Sequence, residues 1–247
     1  MATSWLLSDL HLPPRPSPLR ETLLDWLRSP RLREAQAVYL LGDVFEAWIG
    51  DDLGLDWYRA EIDALAALSA AGVAVKVQVG NRDFLLGAAF ARASGAVLLA
   101  DPVVEPLGGV PTLLSHGDLW CTDDRAYQRW RRFARWRPAQ RLFLALPRGR
   151  REAIARGLRD SSRAATRVKP DDILDVNEAA IAAAVRASGA RRVIHGHTHR
   201  PAEHWLQSPT GPVERLVLAD WHPQRCEVLG IAPGGDWWRQ PLTVRSG

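Results

Sequence analysis

The stretch "RVIHGHTH" runs from Arg192 to His199 and changes character halfway. It opens as a short β-branched apolar run and closes with histidines at 195, 197 and 199. Strand alternation puts all three on one side, so spacing alone does not choose which of them would bind a metal. The first half decides the fold class, because the same pattern recurs along the chain. "WLLSDLH" (5–11), "AVYLLGD" (37–43), "VAVKVQVGN" (73–81) and "TLLSHGD" (112–118) are likewise apolar runs that end in a polar or charged cluster. Short runs rich in Val, Leu and Ile, separated by helical patterns, predict buried strands of an α/β sheet. "RLVLAD" (215–220) and "CEVLGIA" (226–232) add two more strands. Helices are expected over 18–29, 56–71, 84–94 and 175–188, with Gly72, Gly95 and Gly189 placed to cap the last three.

The chain has 247 residues, 47% of them hydrophobic, enough to close a sizeable core. No apolar run approaches the roughly 18 to 20 residues that span a bilayer. The N-terminal "MATSWLLSDLHL" has no basic region ahead of a long apolar stretch, which argues for a cytoplasmic address. Cys121 and Cys226 make no disulfide framework and read as buried thiols. There is no internal repeat and no low-complexity linker, so one domain over 1–247 is expected.

Charge is distributed unevenly. Residues 125–169 hold 15 Lys+Arg and only two acids, Glu152 and Asp160, a net +13, whereas the remainder holds 17 bases and 26 acids, a net −9. This block has no strand-like run, and Tyr127, Trp130 and Phe133, then Ile154 and Leu158, fall at helical spacing. It predicts a basic helical insertion between two strands. "RLFLALPRGRR" (141–151) sets Leu142, Phe143, Leu144 and Leu146 among arginines, the adjacency that contact with anionic lipid requires. Packing of the same side chains against the core is the competing reading.

Side chains at the carboxyl ends of strands in an open α/β sheet converge on one site. Asp9, His11, Asp43, Asn81, His116 and the histidine cluster all stand at such ends. Five polar endings in series, "SDLH", "LGDVFE", "GNRD", "SHGD" and "GHTH", carry far more weight than any one. Their mixed oxygen and imidazole donors, without cysteine, suit Mn²⁺ or a similar borderline cation.

This residue pattern resembles the calcineurin-like metallophosphoesterases. "GDVFEAWIGDD" (42–52), "GNRDFLLG" (80–87), "HGDLWCTDD" (116–124), "FLALP" (143–147) and "IHGHTHRP" (194–201) extend the resemblance to the branch that hydrolyses UDP-2,3-diacylglucosamine in lipid A synthesis. The resemblance implies a four-layer αββα sandwich whose basic insertion forms a lid. It implies two divalent ions, one held by Asp9, His11 and His199, the other by Asn81, His116 and His197, with Asp43 bridging them. Asp43, Asn81, Arg82 and His116 would serve catalysis. A hydroxide held between the ions would attack the α-phosphorus, releasing UMP and 2,3-diacylglucosamine 1-phosphate. Substrate contacts are implied for Asn81, Arg82, Asp124, Ser162, Thr166, Lys169 and His197. At Thr166 relatives often carry asparagine, and a threonine hydroxyl reaches less far. His195 would then pack behind the ligands.

Arg82 adds a chemical argument. Many family members that cleave monoesters have histidine at its place, where an imidazole can protonate an alkoxide leaving group. A phosphate leaving group, with a second pKa of about 6, needs no such proton, and a guanidinium can stabilise its charge instead. Arg82 therefore favours pyrophosphate over monoester cleavage; a salt bridge to Asp83 is the plainer alternative.

The expected partners are the lipid-linked nucleotide sugar and the cytoplasmic face of the inner membrane. No nucleic-acid motif is present and no protein partner can be inferred. The rivals are another metal-dependent nucleotide pyrophosphatase or phosphodiesterase, and a membrane or nucleic-acid binding protein with a vestigial metal site. Tyr127 and Arg159 are weaker candidates for the substrate face. Glu46, Asp51 and Asp52 are expected to organise the adjacent loop, Trp237 and Trp238 to pack, and His204 to lie at the surface.

Overall fold

A computed structural model describes residues 2–168, 175–209 and 211–245, and the side chains of all of these but 163–168. Lys169 therefore lies outside the described residues, and of Thr166 only the backbone lies within them. Two sheets form the centre. The first runs in the order β11-β10-β1-β2-β3-β4, with β1 (Ser4–Leu7), β2 (Ala37–Leu41), β3 (Ala74–Gln78) and β4 (Val97–Leu98) parallel, and β10 (Cys226–Ile231) and β11 (Trp237–Leu242) antiparallel on one edge. The second runs β5-β6-β7-β9-β8, through β5 (Val103–Leu107), β6 (Val110–Ser115), β7 (Arg192–His195), β8 (Ala202–Ser208) and β9 (Gly211–Val217). Within it β6, β7 and β9 are parallel, and β5 and β8 close the edges antiparallel.

Two-residue alternation distributes these strands among three cores. Leu6, Ala37, Tyr39, Leu41, Leu114 and Ile194 meet between the sheets. Their neighbours Trp5, Leu7, Val38 and Leu40 face the opposite way, into a helical layer. Leu113 and Val193 likewise turn outward against Ile181 and Val185. Both faces of each sheet are thus covered, which explains why these strands read as unbroken apolar runs. Burying each such Leu, Ile or Val contributes about 1.5–3 kcal/mol.

The outer layer on the first sheet contains α1 (Pro18–Leu27), α2 (Pro30–Arg33), α3 (Asp51–Trp57), α4 (Arg59–Ala70) and α5 (Ala88–Ser94). Ser17 caps α1 ahead of Pro18 at its first turn. Arg20 of α1 reaches Glu61 of α4 in a buried bidentate pair with both contacts at 2.7 Å. The expected helix over 56–71 is two helices, because the chain breaks at Tyr58, whose hydroxyl donates to the Leu12 carbonyl at 2.9 Å. The expected helix over 84–94 begins only at Ala88; residues before it are held as a loop by Asp51, which accepts from the backbone of Gly87, Ala89 and Phe90.

On the second sheet the covering helix is α9 (Glu178–Ser188), capped by Asn177 and ended by Gly189 at φ 66°. Gly95 ends α5 in the same left-handed way at φ 69°.

The basic block folds as α6 (Arg125–Ala134), α7 (Arg137–Leu144) and α8 (Arg148–Val168), inserted between β6 and β7. Its apolar side chains do not mainly pack inward. Leu142 is 72% exposed, Trp136 57% and Phe133 55%, and Leu144, Ile154 and Leu158 are exposed as well. Phe143, in contrast, packs against the core of the first sheet. Trp238 stands edge-on to Trp5 at 5.4 Å and His204 is exposed, while Cys121 and Cys226 are buried free thiols. Among the described residues no helix is long and apolar enough to cross a membrane.

Candidate metal centre

The polar endings meet at one end of the sandwich. Asp9 follows β1 by two residues, Asp43 follows β2 by two, His116 directly follows β6 and His197 follows β7 by two. Carboxylates and imidazoles distant in sequence thereby come within a few ångströms. His11 Nε2 lies 3.1 Å from His199 Nε2, and Asp9 Oδ1 is 4.0 Å from the first and 3.5 Å from the second. On the other side His116 Nε2 lies 3.0 Å from Asn81 Oδ1 and 3.7 Å from Asp43 Oδ1. Asp43 sits between the halves, its Oδ2 3.8 Å from His11 Nδ1. The rings of His116 and His197 meet edge-on at 5.0 Å.

The backbone is strained to achieve this. Among the described residues five non-glycine positions have left-handed φ, namely Asp9 (56°), His11 (47°), Asp43 (53°), His197 (70°) and His199 (55°). All five belong to the expected ligand set. Such residues cost of order 1–3 kcal/mol each and persist where surrounding bonds over-determine them. Here the amides of Asp9 and His11 donate to the carbonyls of Gly42 and Asp43, at 3.1 and 3.0 Å. Asp83 accepts the amides of Gly80 (2.7 Å), Val44 (2.8 Å) and Asp43 (3.3 Å), joining the loops after β2 and β3. That occupation answers the plain alternative for Arg82: its guanidinium turns from Asp83 to Glu46 at 3.3 Å and Asp43 at 3.6 Å.

Glycines supply the room. A Cβ on Gly80 would lie 2.1 Å from Asp43 Oδ1, and one on Gly196 would lie 2.2 Å from Asp9 Oδ2. The "GN" and "GH" of the motifs are thus steric requirements of two buried carboxylates.

The electrostatics fit cation binding. Burial pushes the Asp43 carboxyl up to about 7, with Asp83 and Asp9 adding to the rise. For Asp9, burial acts in the same direction but is outweighed by the close approach of His199 Nε2 at 3.5 Å and by the charges of His116, His199 and His11, which hold it well below the carboxylate range. Burial favours a neutral His116 ring, yet Asp43 and Asp9 raise it to about 9. Burial takes His11 down to about 3 and His197 to about 4. Asp9 Oδ1 and His11 Nδ1 are buried with no hydrogen-bond partner. Orphaned polar atoms of this kind are costly unless something else satisfies them. His116 Nδ1 donates to the Leu41 carbonyl at 2.9 Å, which turns the lone pair of Nε2 toward the cluster. The residues present therefore fit a divalent cation.

Other expected site residues lie around this cluster. Asp124 caps α6, accepting from the Tyr127 amide at 3.0 Å. Ser162 is exposed on α8, three residues beyond Arg159, which contacts Glu46 at 3.3 Å. Arg82 and Arg159 thus converge on the same carboxylate. His195 is buried behind the cluster, edge-on to Trp120 at 5.7 Å, and burial lowers it to about 4.

Asp118, the last residue of "SHGD", was not singled out by the sequence reading. It accepts from Tyr127 Oη (2.6 Å), Arg131 Nε (2.8 Å) and Arg135 Nη2 (3.3 Å), anchoring α6 beside the site. The Tyr127 ring then stacks on His197 at 6.0 Å. A buried carboxylate two residues after a ligand, followed by arginines at helical spacing, was the available signal.

Residues 2–201 match the family described as "Calcineurin-like phosphoesterase". A UDP-2,3-diacylglucosamine hydrolase of Neisseria meningitidis serogroup B is 44% identical over 235 residues, covering 95% of this chain and 96% of the relative. One from Pseudomonas paraeruginosa is 47% identical over 219 residues, covering 88% and 90%. Among solved structures, a dimetal phosphatase from Danio rerio aligns over 99% of this chain and 96% of its own, with a TM-score of 0.51 at 14% identity. That last likeness is one of fold.

Proposed function

The chain belongs to the calcineurin-like phosphoesterase family, and from that premise we propose that it hydrolyses the pyrophosphate bond of UDP-2,3-diacylglucosamine to UMP and 2,3-diacylglucosamine 1-phosphate. The observation that carries this reading is Arg82. A guanidinium 3.6 Å from Asp43 stands beside the donor cluster, suited to the charge on a leaving phosphate and unable to protonate an alkoxide.

In this reading Asp9, His11 and His199 would hold one divalent ion and Asn81, His116 and His197 a second, with Asp43 shared between the two. The oxygen and imidazole donors favour Mn²⁺. Two such ions would supply Lewis acidity and an activated water. The chain's own residues do the rest. Asp83 holds the loops of Asp43 and Asn81 in register through three amides. Arg82 and Arg159, both resting on Glu46, are free to exchange that carboxylate for the anionic diphosphate. His197, stacked under the Tyr127 ring, would contact a substrate phosphate beside the ions.

Asp124 at the start of α6 and Ser162 on α8 would contact the sugar phosphate, as would Thr166 and Lys169 by the family resemblance. The chain would act as one domain with 125–169 as its lid. The exposed Leu142, Leu144, Trp136 and Phe133, set among arginines, support docking to the cytoplasmic face of the inner membrane.

The test is hydrolysis in ¹⁸O-labelled water. Attack at the α-phosphorus predicts label in UMP. Label in the sugar phosphate would overturn the assignment of the reacting centre, and no cleavage at all would overturn the activity.

A further inference from the structure

β9 ends as the ligand-bearing strands do, in a carboxylate: Val217 is followed by Leu218, Ala219 and Asp220. Asp220 has no place in the donor set described above. Its Oδ2 nevertheless lies 3.8 Å from Nδ1 of His199. The other nitrogen of that ring, Nε2, faces Asp9 Oδ1 at 3.5 Å and His11 Nε2 at 3.1 Å. The ring thus stands between two carboxylates, one toward the cluster and one behind it.

His199 needs such a neighbour more than the other histidines do. Its side chain is 41% exposed, against 17% for His11 and none for His116. His116 has its proton fixed on Nδ1 by the Leu41 carbonyl, and His197 is flanked by the rings of His116 and Tyr127. Behind His199 stands Asp220, and Asp220 is itself held. Arg225 bonds its Oδ1 and donates from Nε to its carbonyl at 3.5 Å. The turn is closed by reciprocal backbone bonds between His222 and Arg225, both 2.9 Å, and the next residue, Trp221, donates its amide to the Asp9 carbonyl at 3.0 Å. The loop is therefore tied to Asp9 as well as to His199.

We propose that Asp220, steadied by Arg225, is a positioning residue that keeps the proton of His199 on Nδ1 and so presents Nε2 unprotonated to a divalent ion shared with Asp9 and His11. Across 3.8 Å the effect is electrostatic: a carboxylate behind the ring favours the tautomer whose N–H points toward it. Carboxylates behind metal-bound imidazoles act in this way, and their loss typically weakens metal binding by about 10–100-fold. The inference rests on the reading that these residues hold a divalent ion.

The experiment is Mn²⁺ binding to the metal-depleted full chain, followed by electron paramagnetic resonance, for the unmodified protein, Asp220→Asn, His199→Ala and the double variant. The isosteric Asn keeps the turn and removes the charge. The expected result is one Mn²⁺ weakened by about 10–100-fold in Asp220→Asn, the other unchanged, and no further loss when Asp220→Asn is added to His199→Ala. Unmodified affinity for both ions in Asp220→Asn would overturn the inference while leaving the metal site standing. So would an undiminished effect in the His199→Ala background, which would mark Asp220 as a general support of the loop. Absence of Mn²⁺ binding by the unmodified protein would instead overturn the site reading on which the inference depends.

Discussion

The carboxylate of Asp9 accepts the backbone amide of His197 at 2.8 Å, joining two residues 188 positions apart. The bond ties the first strand of one sheet to the third of the other and fixes a left-handed turn at each end. It exists because Gly196 brings no side chain to the contact: a Cβ there would lie 2.1 Å from Ser8 Oγ and 2.2 Å from Asp9 Oδ2.

Gly196→Ala should therefore displace Asp9 and reduce turnover by about 100-fold or more, the usual consequence of moving a reacting group by an ångström. Gly72→Ala is the control. That position has φ 91° and nothing within 4 Å, so its cost is backbone strain alone. Steady-state kinetics and thermal melts of the two variants should separate, the first losing activity and the second only stability. Near-normal turnover in Gly196→Ala would show that Asp9 need not be held so tightly.

Arg82→Lys should lower kcat/KM by about 100-fold, as removal of one preorganised donor commonly does, while leaving Mn²⁺ affinity unchanged. The lysine keeps the charge and loses the planar fork that grips a phosphate. Calorimetric titration with Mn²⁺ alongside the kinetics makes the separation. Equal loss of metal affinity would place Arg82 in the support of Asp43 and not at the leaving phosphate.

The basic insertion is latched by Arg151, whose Nη1 and Nη2 meet Asp52 at 2.8 and 2.5 Å while Nη1 also reaches the Ile49 carbonyl at 2.6 Å. The hydrogen bond from Arg151 holds the Asp52 carboxyl below its ordinary value. A lowered folded-state value means the folded chain binds the proton less well than the unfolded chain. The latch thus stabilises fully above the ordinary aspartate value of about 4, and that contribution is lost as pH falls below it. Asp52→Asn should melt a few degrees lower than the unmodified protein at neutral pH, and the gap should narrow as pH falls through about 4. A gap that stays constant with pH would mean the latch does not depend on the carboxylate charge.

Leu142 and Leu144 are exposed on α7, with Arg141 and Arg148 close in sequence. Leu142→Glu combined with Leu144→Glu should cut binding to anionic vesicles by about 10-fold or more, through lost apolar burial and added repulsion. Co-sedimentation measures this directly. Vesicle binding equal to that of the unmodified protein would contradict the proposed contact of α7 with a membrane.

Much of this was legible in the sequence, for a physical reason. Strands covered on both faces must be apolar throughout, so β1, β2, β3, β6 and β7 stand out, and their polar endings mark the site. The edge strands were not legible. β5 carries Pro106 paired with Pro111, and β8 has Glu203, His204, Trp205 and Gln207 exposed, so neither shows an apolar run. β11 is only partly buried and reads by its tryptophans as packing. The site's outer residues were hidden differently. Asp118 and Asp220 touch ligands or their neighbours only once α6 and the loop after β9 are in place, so their positions at the ends of "SHGD" and "RLVLAD" did not by themselves reveal their partners. Asp51 and Asp52, adjacent at the start of α3, serve different neighbours, one holding the first turn of α5 and the other gripping α8.

The most direct measurement is turnover of UDP-2,3-diacylglucosamine in detergent by metal-depleted protein, with and without restored Mn²⁺, beside UDP-N-acetylglucosamine as a competitor lacking acyl chains. The account predicts no turnover without metal, recovery on adding Mn²⁺, and a strong preference for the acylated sugar. Hydrolysis of both at similar efficiency would contradict the lipid assignment, and metal-independent hydrolysis would contradict the role given to the Asp9, Asp43 and histidine cluster.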